Sequence, residues 1–394
     1  MPVSEKISLY MQQGGWIRRM FEAGIALKAQ YGENNVYDLS LGNPVVEPPA
    51  IFQQELARVV LHPSKGMHRY MPNNGYAETR QAIANTLTLE TSVDVTAADI
   101  VMTCGAAAAI NVTLKTILNP GEEVIILSPY FVEYGYYIDN HGGNVVVVAT
   151  DSEFQPNLEA IESAITPNTR AIIINSPNNP TGVIYPGNKV AELAALLDRY
   201  QRKNSKEIYL ISDEPYRRIL FDGATYPHLF PLYENSIVVT SHAKDLALPG
   251  ERIGYIAVNP ACVDREVLAN GLTFCNRTLG FVNAPALMQH VVTGLQGVSV
   301  DPSDYQRKRD FLYNTLTELG YSIVRPQGAF YLFPKSPIDD DVEFVEALQQ
   351  WNVLTVPGQG FGTPGYFRIS YCVEDSVLSG SIDGFKQAAN KFGL

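Results

Sequence analysis

Between about residues 100 and 258 the chain alternates short apolar runs, rich in β-branched residues, with longer mixed segments. The runs are Val124 to Leu127, Val145 to Val148, Ala171 to Ile174, Ile208 to Ile211, Ile237 to Val239 and Ile253 to Val258. Unbroken apolar runs of this length fit strands buried on both faces, and helix-length intervals fit crossover connections, so the pattern predicts an α/β sheet. Val190 to Tyr200 reads as one crossover helix, while the shorter gaps leave some strand pairings open. Near the start, Trp16 to Tyr31 has helical periodicity and meets Gly32 as a stop signal. After about Asp301 the pattern changes. Helical stretches, Tyr305 to Leu319 and Val342 to Gln350, are separated by strand-like runs, Phe330 to Phe333 and Phe367 to Tyr371, which predicts a smaller α+β domain that the N-terminal segment joins. Neither an internal repeat nor a flexible linker interrupts the chain, so the domains are expected to pack closely.

Composition narrows the partners. A chain of 394 residues with 46% hydrophobic and 18% charged content can bury a large core, and a net charge of −12 without a basic block gives no footprint for nucleic acid or an anionic membrane. A small-molecule partner is expected instead. The four cysteines, Cys104, Cys262, Cys275 and Cys372, contain no Cys-x-x-Cys pair and suit free thiols in a reducing compartment. With neither a secretory signal nor a membrane-length apolar run, the expected location is cytoplasmic.

In an open α/β sheet ligands collect beyond the carboxyl ends of the strands, which directs attention to polar residues just after apolar runs. Asn175-Ser-Pro-Asn-Asn-Pro-Thr-Gly182 follows one run, Ser212-Asp-Glu-Pro-Tyr216 the next, and Thr240-Ser-His-Ala-Lys244 a third, with Arg252 eight residues later. An amide, a carboxylate with a phenol, then a lysine with an arginine suit an aromatic aldehyde cofactor, pyridoxal 5′-phosphate (PLP). Such a cofactor needs a lysine amine for an imine linkage, a carboxylate to keep its pyridine nitrogen protonated, and donors around its phosphate. Lys244 and Asp213 answer the first two needs, and Tyr216 and Asn179 can donate to the ring hydroxyl oxygen. The turn Thr103-Cys-Gly105-Ala106-Ala107, entering a helix-like segment, can offer backbone N–H groups to the phosphate, with Ser241 and Arg252 completing the cradle.

These motifs, in this order, resemble fold-type I PLP-dependent aminotransferases of class I and II, the aspartate aminotransferase superfamily. The resemblance runs over nearly the whole chain, from Leu41-Gly-Asn-Pro44 through Tyr70, Gly105-Ala106-Ala107, Pro129-Tyr-Phe131, Asn179-Pro-Thr-Gly182, Asp213-x-x-Tyr216 and Ser241-x-x-Lys244 to Phe367-Arg-Ile-Ser370. It implies a large PLP-binding domain over 50–290, with a mostly parallel central sheet flanked by helices, and a small α+β domain formed by 1–49 and 291–394. It implies that Lys244 holds the cofactor and moves the substrate proton, that Phe131 stacks on the ring, and that Arg368 grips the substrate carboxylate with Asn179 and Gly42. Tyr70 is expected to reach the phosphate of a neighbouring subunit, which implies a homodimer with shared active sites.

Taken alone, several of these residues have plainer readings. Lysine is mostly a surface residue, aspartate favours caps and turns, and Asn-Pro-Thr-Gly is turn chemistry. Their shared order turns each toward the site. Gly358-Gln-Gly360-Phe-Gly362 lacks the strand, helix and distal acid of a dinucleotide loop and reads as a plain loop. The six histidines have no ligand spacing, so no metal is expected, and the sequons at Asn111 and Asn276 read as chance matches. The expected reaction is ping-pong transfer of an amino group from an L-amino acid to a 2-oxo acid, with aspartate and 2-oxoglutarate favoured. Aromatic or alanine specificity and a C–S β-lyase on the same fold are the alternatives. In members that read a distal carboxylate a partner arginine does so. Arg277 lies near that place, but the alignment puts Thr278 there.

Overall fold

The computed structural model describes residues 2–13, 15–204 and 206–394. Seven strands form the central sheet: β1 (Ile100–Thr103), β2 (Glu123–Ser128), β3 (Asn144–Ala149), β4 (Thr169–Asn175), β5 (Tyr209–Asp213), β6 (Ser236–Ser241) and β7 (Gly254–Val258). Their order across the sheet is β1-β7-β6-β5-β4-β2-β3. Strands β3, β2, β4, β5 and β6 run parallel to their neighbours among themselves. Only β7 runs antiparallel, to both β6 and β1. The link from β6 to β7 holds a single helical turn, His242–Asp245, instead of the long helix that a parallel crossover uses. Each expected apolar run is a strand here. The short β1 lay outside that set, because four residues ending in Met102 and Thr103 carry little periodic signal.

Both faces of the sheet are covered. Ile125, Leu127, Ile172 and Ile174 point into a core shared with Leu193, Leu197, Phe333 and Phe344, whereas Val124, Ile126, Ala171 and Ile173 point to the opposite side with Val112 and Leu272. This two-residue alternation explains why the runs are apolar throughout. The helix Gly187–Asn204 supplies Leu193 and Leu197, and Trp16–Tyr31 ends at Gly32 as the sequence suggests. Among the helices the periodicity did not mark, Glu5–Gln13 and Glu133–Asn140 are short, whereas Ala77–Thr91 and Asp375–Phe392 are long.

In the C-terminal part, Tyr331–Leu332, Phe367–Ser370 and Val356–Pro357 make an antiparallel three-stranded sheet. Tyr37–Asp38 pairs in parallel with Val353–Leu354, tying the N-terminal segment to this part. The helix Ala286–Thr293 runs through residue 290, packs on Ala50–Leu61 and Ala77–Thr91, and buries Val291 and Val292 with Ile83 and Leu87. Among the described residues no helix is long and apolar enough to cross a membrane.

Candidate active site

Because β4, β5 and β6 are parallel and in register, with Asn175 beside Asp213 and Asp213 beside Val239, their carboxyl ends open on one side of the sheet. A cavity of about 340 Å³ lies there, lined among others by Asn175, Asn179, Asp213, Tyr216, Ser241, Lys244, Arg252 and Arg368. Strand alternation separates two neighbouring acids: Asp213 faces this cavity, while Glu214 points toward Arg217, with 4.0 Å between their charged atoms. Asp213 Oδ2 accepts a 2.6 Å hydrogen bond from the Tyr134 hydroxyl, and its Oδ1 is buried without a partner. Burial pushes the Asp213 pKa up to about 7, the bond from Tyr134 pulls the other way, and the Glu214 charge adds to the rise. Asn175 holds the strand end by donating from Nδ2 to the Asp213 carbonyl at 2.9 Å, and its Oδ1 accepts from the Asn179 N–H at 2.7 Å.

Lys244 comes from the helical turn after β6, and its Nζ donates to the Gly42 carbonyl at 2.7 Å. The ammonium also lies 5.2 Å from the centre of the Phe330 ring. Burial lowers its pKa to about 8; Cys372 opposes that shift, and the Arg368 and Arg252 charges reinforce it. An amine so placed gives up its proton far more readily than an exposed lysine does, as a nucleophile or proton carrier requires. Gly42 cannot carry a side chain, since a Cβ there would lie 2.1 Å from the Tyr331 hydroxyl oxygen. His242 is buried with Nδ1 3.1 Å from Asp245, so it belongs to the support of the turn.

At the other end of the cavity, Gly105 adopts φ 84° and starts the helix Ala106–Ile117. The first i to i−4 bond of that helix runs from Ala109 to Gly105, so the N–H groups of Ala106 and Ala107, which line the cavity, lie ahead of the ladder. Arg252 lies over this turn, with Nη1 donating to Pro249 O at 3.0 Å and Nη2 to Cys104 O at 3.4 Å. A Cβ on residue 105 would come within 2.9 Å of Arg252 Nη2. Open amides, a guanidinium and the Ser241 hydroxyl around one corner suit a phosphate.

Arg368, on the strand Phe367–Ser370, is 2% exposed. It donates from Nη1 to Asn179 Oδ1 at 3.0 Å and from Nη2 to the Ser40 carbonyl at 2.5 Å, while its Nε is buried without a partner. The guanidinium sits between the Tyr331 and Phe361 rings, 4.8 Å from each centre. Both acceptors are neutral, so this buried cation is suited to receive an anion from outside the fold. Tyr216 is also buried, and its hydroxyl lies 2.9 Å from that of Tyr331. Phe131 lines the cavity and meets Tyr134 edge-on at 5.5 Å.

The fold thus gathers Gly42, Ala106, Ala107, Phe131, Asn179, Asp213, Tyr216, Ser241, Lys244, Arg252 and Arg368 around one cavity, with Gly105 directly behind its rim. Tyr70 and Arg277 lie elsewhere: Tyr70 is 93% exposed and Arg277 lies against Phe274 at the end of the helix Arg265–Thr278. Sequence reasoning did not single out Tyr134, Asn175, Tyr331, Phe361 or Glu133. Asn175 heads a quoted motif and Tyr134 stands three places after Phe131, so both carried a positional signal. Phe361 belongs to the loop read as plain, and nothing local marks it or Tyr331.

Comparison with known proteins agrees with this arrangement. Residues 34–381 match the family model described as aminotransferase class I and II. The chain is 34% identical over 364 residues to the aspartate/prephenate aminotransferase of Thermus thermophilus, covering 90% of this chain and 91% of that one. It is 31% identical over 382 residues to aromatic-amino-acid aminotransferase 2 of Thermococcus litoralis, covering 93% of each. The crystal structure of an amino transferase from Eubacterium rectale superposes with a TM-score of 0.96 at 37% identity, over 100% of both chains. The chain therefore belongs to the class I and II aminotransferases and is an enzyme of amino-group transfer.

Proposed function

We propose that the cavity holds PLP on Lys244 and exchanges an amino group between an L-amino acid and a 2-oxo acid in two half-reactions. The observation that carries this reading is the pair of buried, unmatched polar groups facing one space: Asp213 Oδ1 and Arg368 Nε. A protonated pyridine nitrogen completes the first and a substrate carboxylate the second. The N–H groups of Ala106 and Ala107, with Ser241 and Arg252, form the corner in which the phosphate fits. When bound, PLP supplies an electron-withdrawing ring that stabilises negative charge at the substrate α-carbon. The chain does the rest. Lys244 Nζ anchors the cofactor and then takes and returns the α-proton, helped by its lowered pKa. Asp213 keeps the ring nitrogen protonated, and that positive charge in turn draws the aspartate back to its ionised form. Tyr216 and Asn179 donate to the ring oxygen, Phe131 covers the ring face, and Arg368, with Asn179 and Gly42, orients the carboxylate.

Support for an acidic donor, aspartate with 2-oxoglutarate as acceptor, comes from the printed name of the Thermus relative; the Thermococcus name points to aromatic amino acids. Tyr70, exposed as an isolated ring, is assigned to a second copy's phosphate corner in a homodimer. A cytoplasmic location is supported by four cysteines that remain free thiols. The large domain is assigned to 50–290 and the small domain to 1–49 and 291–394, a division supported by the separate three-stranded sheet of the C-terminal part and by the pairing of Tyr37–Asp38 with Val353–Leu354.

The decisive experiment is the visible spectrum of the PLP-loaded protein before and after single amino acids. Conversion of a coloured band to the pyridoxamine form, with release of the matching 2-oxo acid, is the expected result. Absence of any band after loading would remove Lys244 from its role, and ammonia with pyruvate from cystathionine without an acceptor would point to a β-lyase.

A further inference from the structure

A second, larger cavity of about 1080 Å³ lies outside the first, between the N-terminal helices Glu5–Gln13 and Trp16–Tyr31 and the helix Glu133–Asn140. Glu133 is the single residue, among those described, that lines both. It sits two places beyond Phe131 and shares the inner cavity with Lys244 and Arg368. Its Oε2 is buried and has no hydrogen-bond partner among the described residues. Burial raises its pKa; a bond from its own backbone N–H and the charge of Arg368 oppose that rise.

Among the described residues no lysine or arginine forms an ion pair with this carboxylate, although the charge of Arg368 reaches it. No lysine or arginine lines the outer cavity among the described residues, and its other acid, Asp139, is already matched by Lys6 and Tyr10. The three basic residues of the inner cavity are committed to the cofactor and to the α-carboxylate under the reading above. Beside Glu133 the outer wall presents the aromatic rings of Tyr130 and Tyr136. Burial, followed by the charge of Glu133, pushes the Tyr136 hydroxyl pKa up.

We infer that Glu133 reads the substrate side chain, favouring one that ends in a cationic amine and disfavouring one that ends in a carboxylate. With the α-carboxylate on Arg368 and the α-carbon at Lys244, a side chain that leaves the inner cavity toward the outer one passes Glu133. A terminal ammonium there completes the orphaned oxygen by a charge-assisted bond and meets aromatic faces. A terminal carboxylate meets a like charge with no intervening cation. The inference rests on the amino-transfer reading for the placement of the α-carboxylate and departs from it on the side chain, putting a cationic donor in place of the acidic one that the Thermus name suggests.

The test uses three acids with the same five-carbon chain, 5-aminopentanoate, pentanoate and glutarate, titrated calorimetrically into the enzyme and its E133Q and E133D variants loaded with pyridoxamine phosphate, which has no aldehyde for the amine to attack. The wild type is expected to bind 5-aminopentanoate more tightly than glutarate. E133Q is expected to shrink that ratio by about tenfold or more, the worth of one charged hydrogen bond, whereas E133D keeps the preference for the amine. A ratio that moves less than about threefold in E133Q, or a wild type that prefers glutarate, overturns the assignment. Failure of the parent reading shows separately, as a loaded enzyme whose spectrum responds to no amino acid.

Discussion

The two cavities differ in how their polar groups are held. In the inner one, most groups are tied to the sheet: Asn175 fixes the end of β5, Tyr134 fixes Asp213, and Asn179 and Ser40 fix Arg368. The groups left open there among the described residues, Asp213 Oδ1 and Arg368 Nε, are an acid and a base on residues that line one cavity. In the outer cavity, Glu133 has an open oxygen, and the wall is built mainly from helices and loops, with Asn144 and Val145 of β3 and Val356 at its edge. A rigid strand-end frame suits chemistry common to every substrate. Helices laid across its mouth can vary the side chain admitted without disturbing that chemistry.

The sharpest way to break this contrast is to remove the inner chemistry. K244A is expected to lower the single-turnover rate with any amino acid by about 1000-fold or more, with no visible band of the linked cofactor, while far-ultraviolet circular dichroism stays unchanged. D213N is expected to cost on the order of 100-fold in kcat/KM for all substrates alike, because the ring nitrogen loses its anionic partner. The same change has an opposite effect on the cofactor-free protein. Asp213 has a folded pKa of about 7 against an ordinary 3.8, so the folded state holds the proton more tightly, and stability falls as pH rises through this window. The Tm of cofactor-free D213N should therefore exceed that of the wild type at pH 8 and match it at pH 3. Equal Tm differences at both pH values would mean that Asp213 is not held protonated by burial.

R368K is expected to raise KM by about tenfold or more for substrates of every side chain, since lysine cannot reproduce the fork that meets Asn179 and Ser40 while leaving a donor for a carboxylate. Uniformity is the point: a loss confined to one side chain would place side-chain reading in the inner cavity and merge the two regions. The smallest effect is expected from Y331F. It removes the 2.9 Å contact with the Tyr216 hydroxyl and should cost about 1 kcal/mol, roughly a fivefold fall in kcat/KM.

Legibility followed sequence distance. Lys244, Ser241, Asp213, Tyr216 and Asn179 stand directly after strands, so the apolar runs themselves pointed to them. Arg368 was visible as a cation inside the apolar run Phe367 to Tyr371, though its neighbours were not. Tyr331 and Phe361 sandwich it from segments that look like ordinary core and loop, and Ser40 reaches it from more than 300 positions away. Tyr134 acquires its role only because the helix Glu133–Asn140 folds over the end of β5.

The sequence by itself determined the α/β pattern, the strand-end positions of Lys244 and Asp213, and the turn at Gly105, because strand periodicity and strand-end chemistry are local and survive without knowledge of contacts. Tertiary structure alone decided the antiparallel placement of β7, the orphaned oxygen of Asp213 and the burial of Arg368 without an anion. It also placed Glu133 where the two cavities meet. These depend on which distant surfaces exclude water from a given atom, a property of the packed chain that no local window contains.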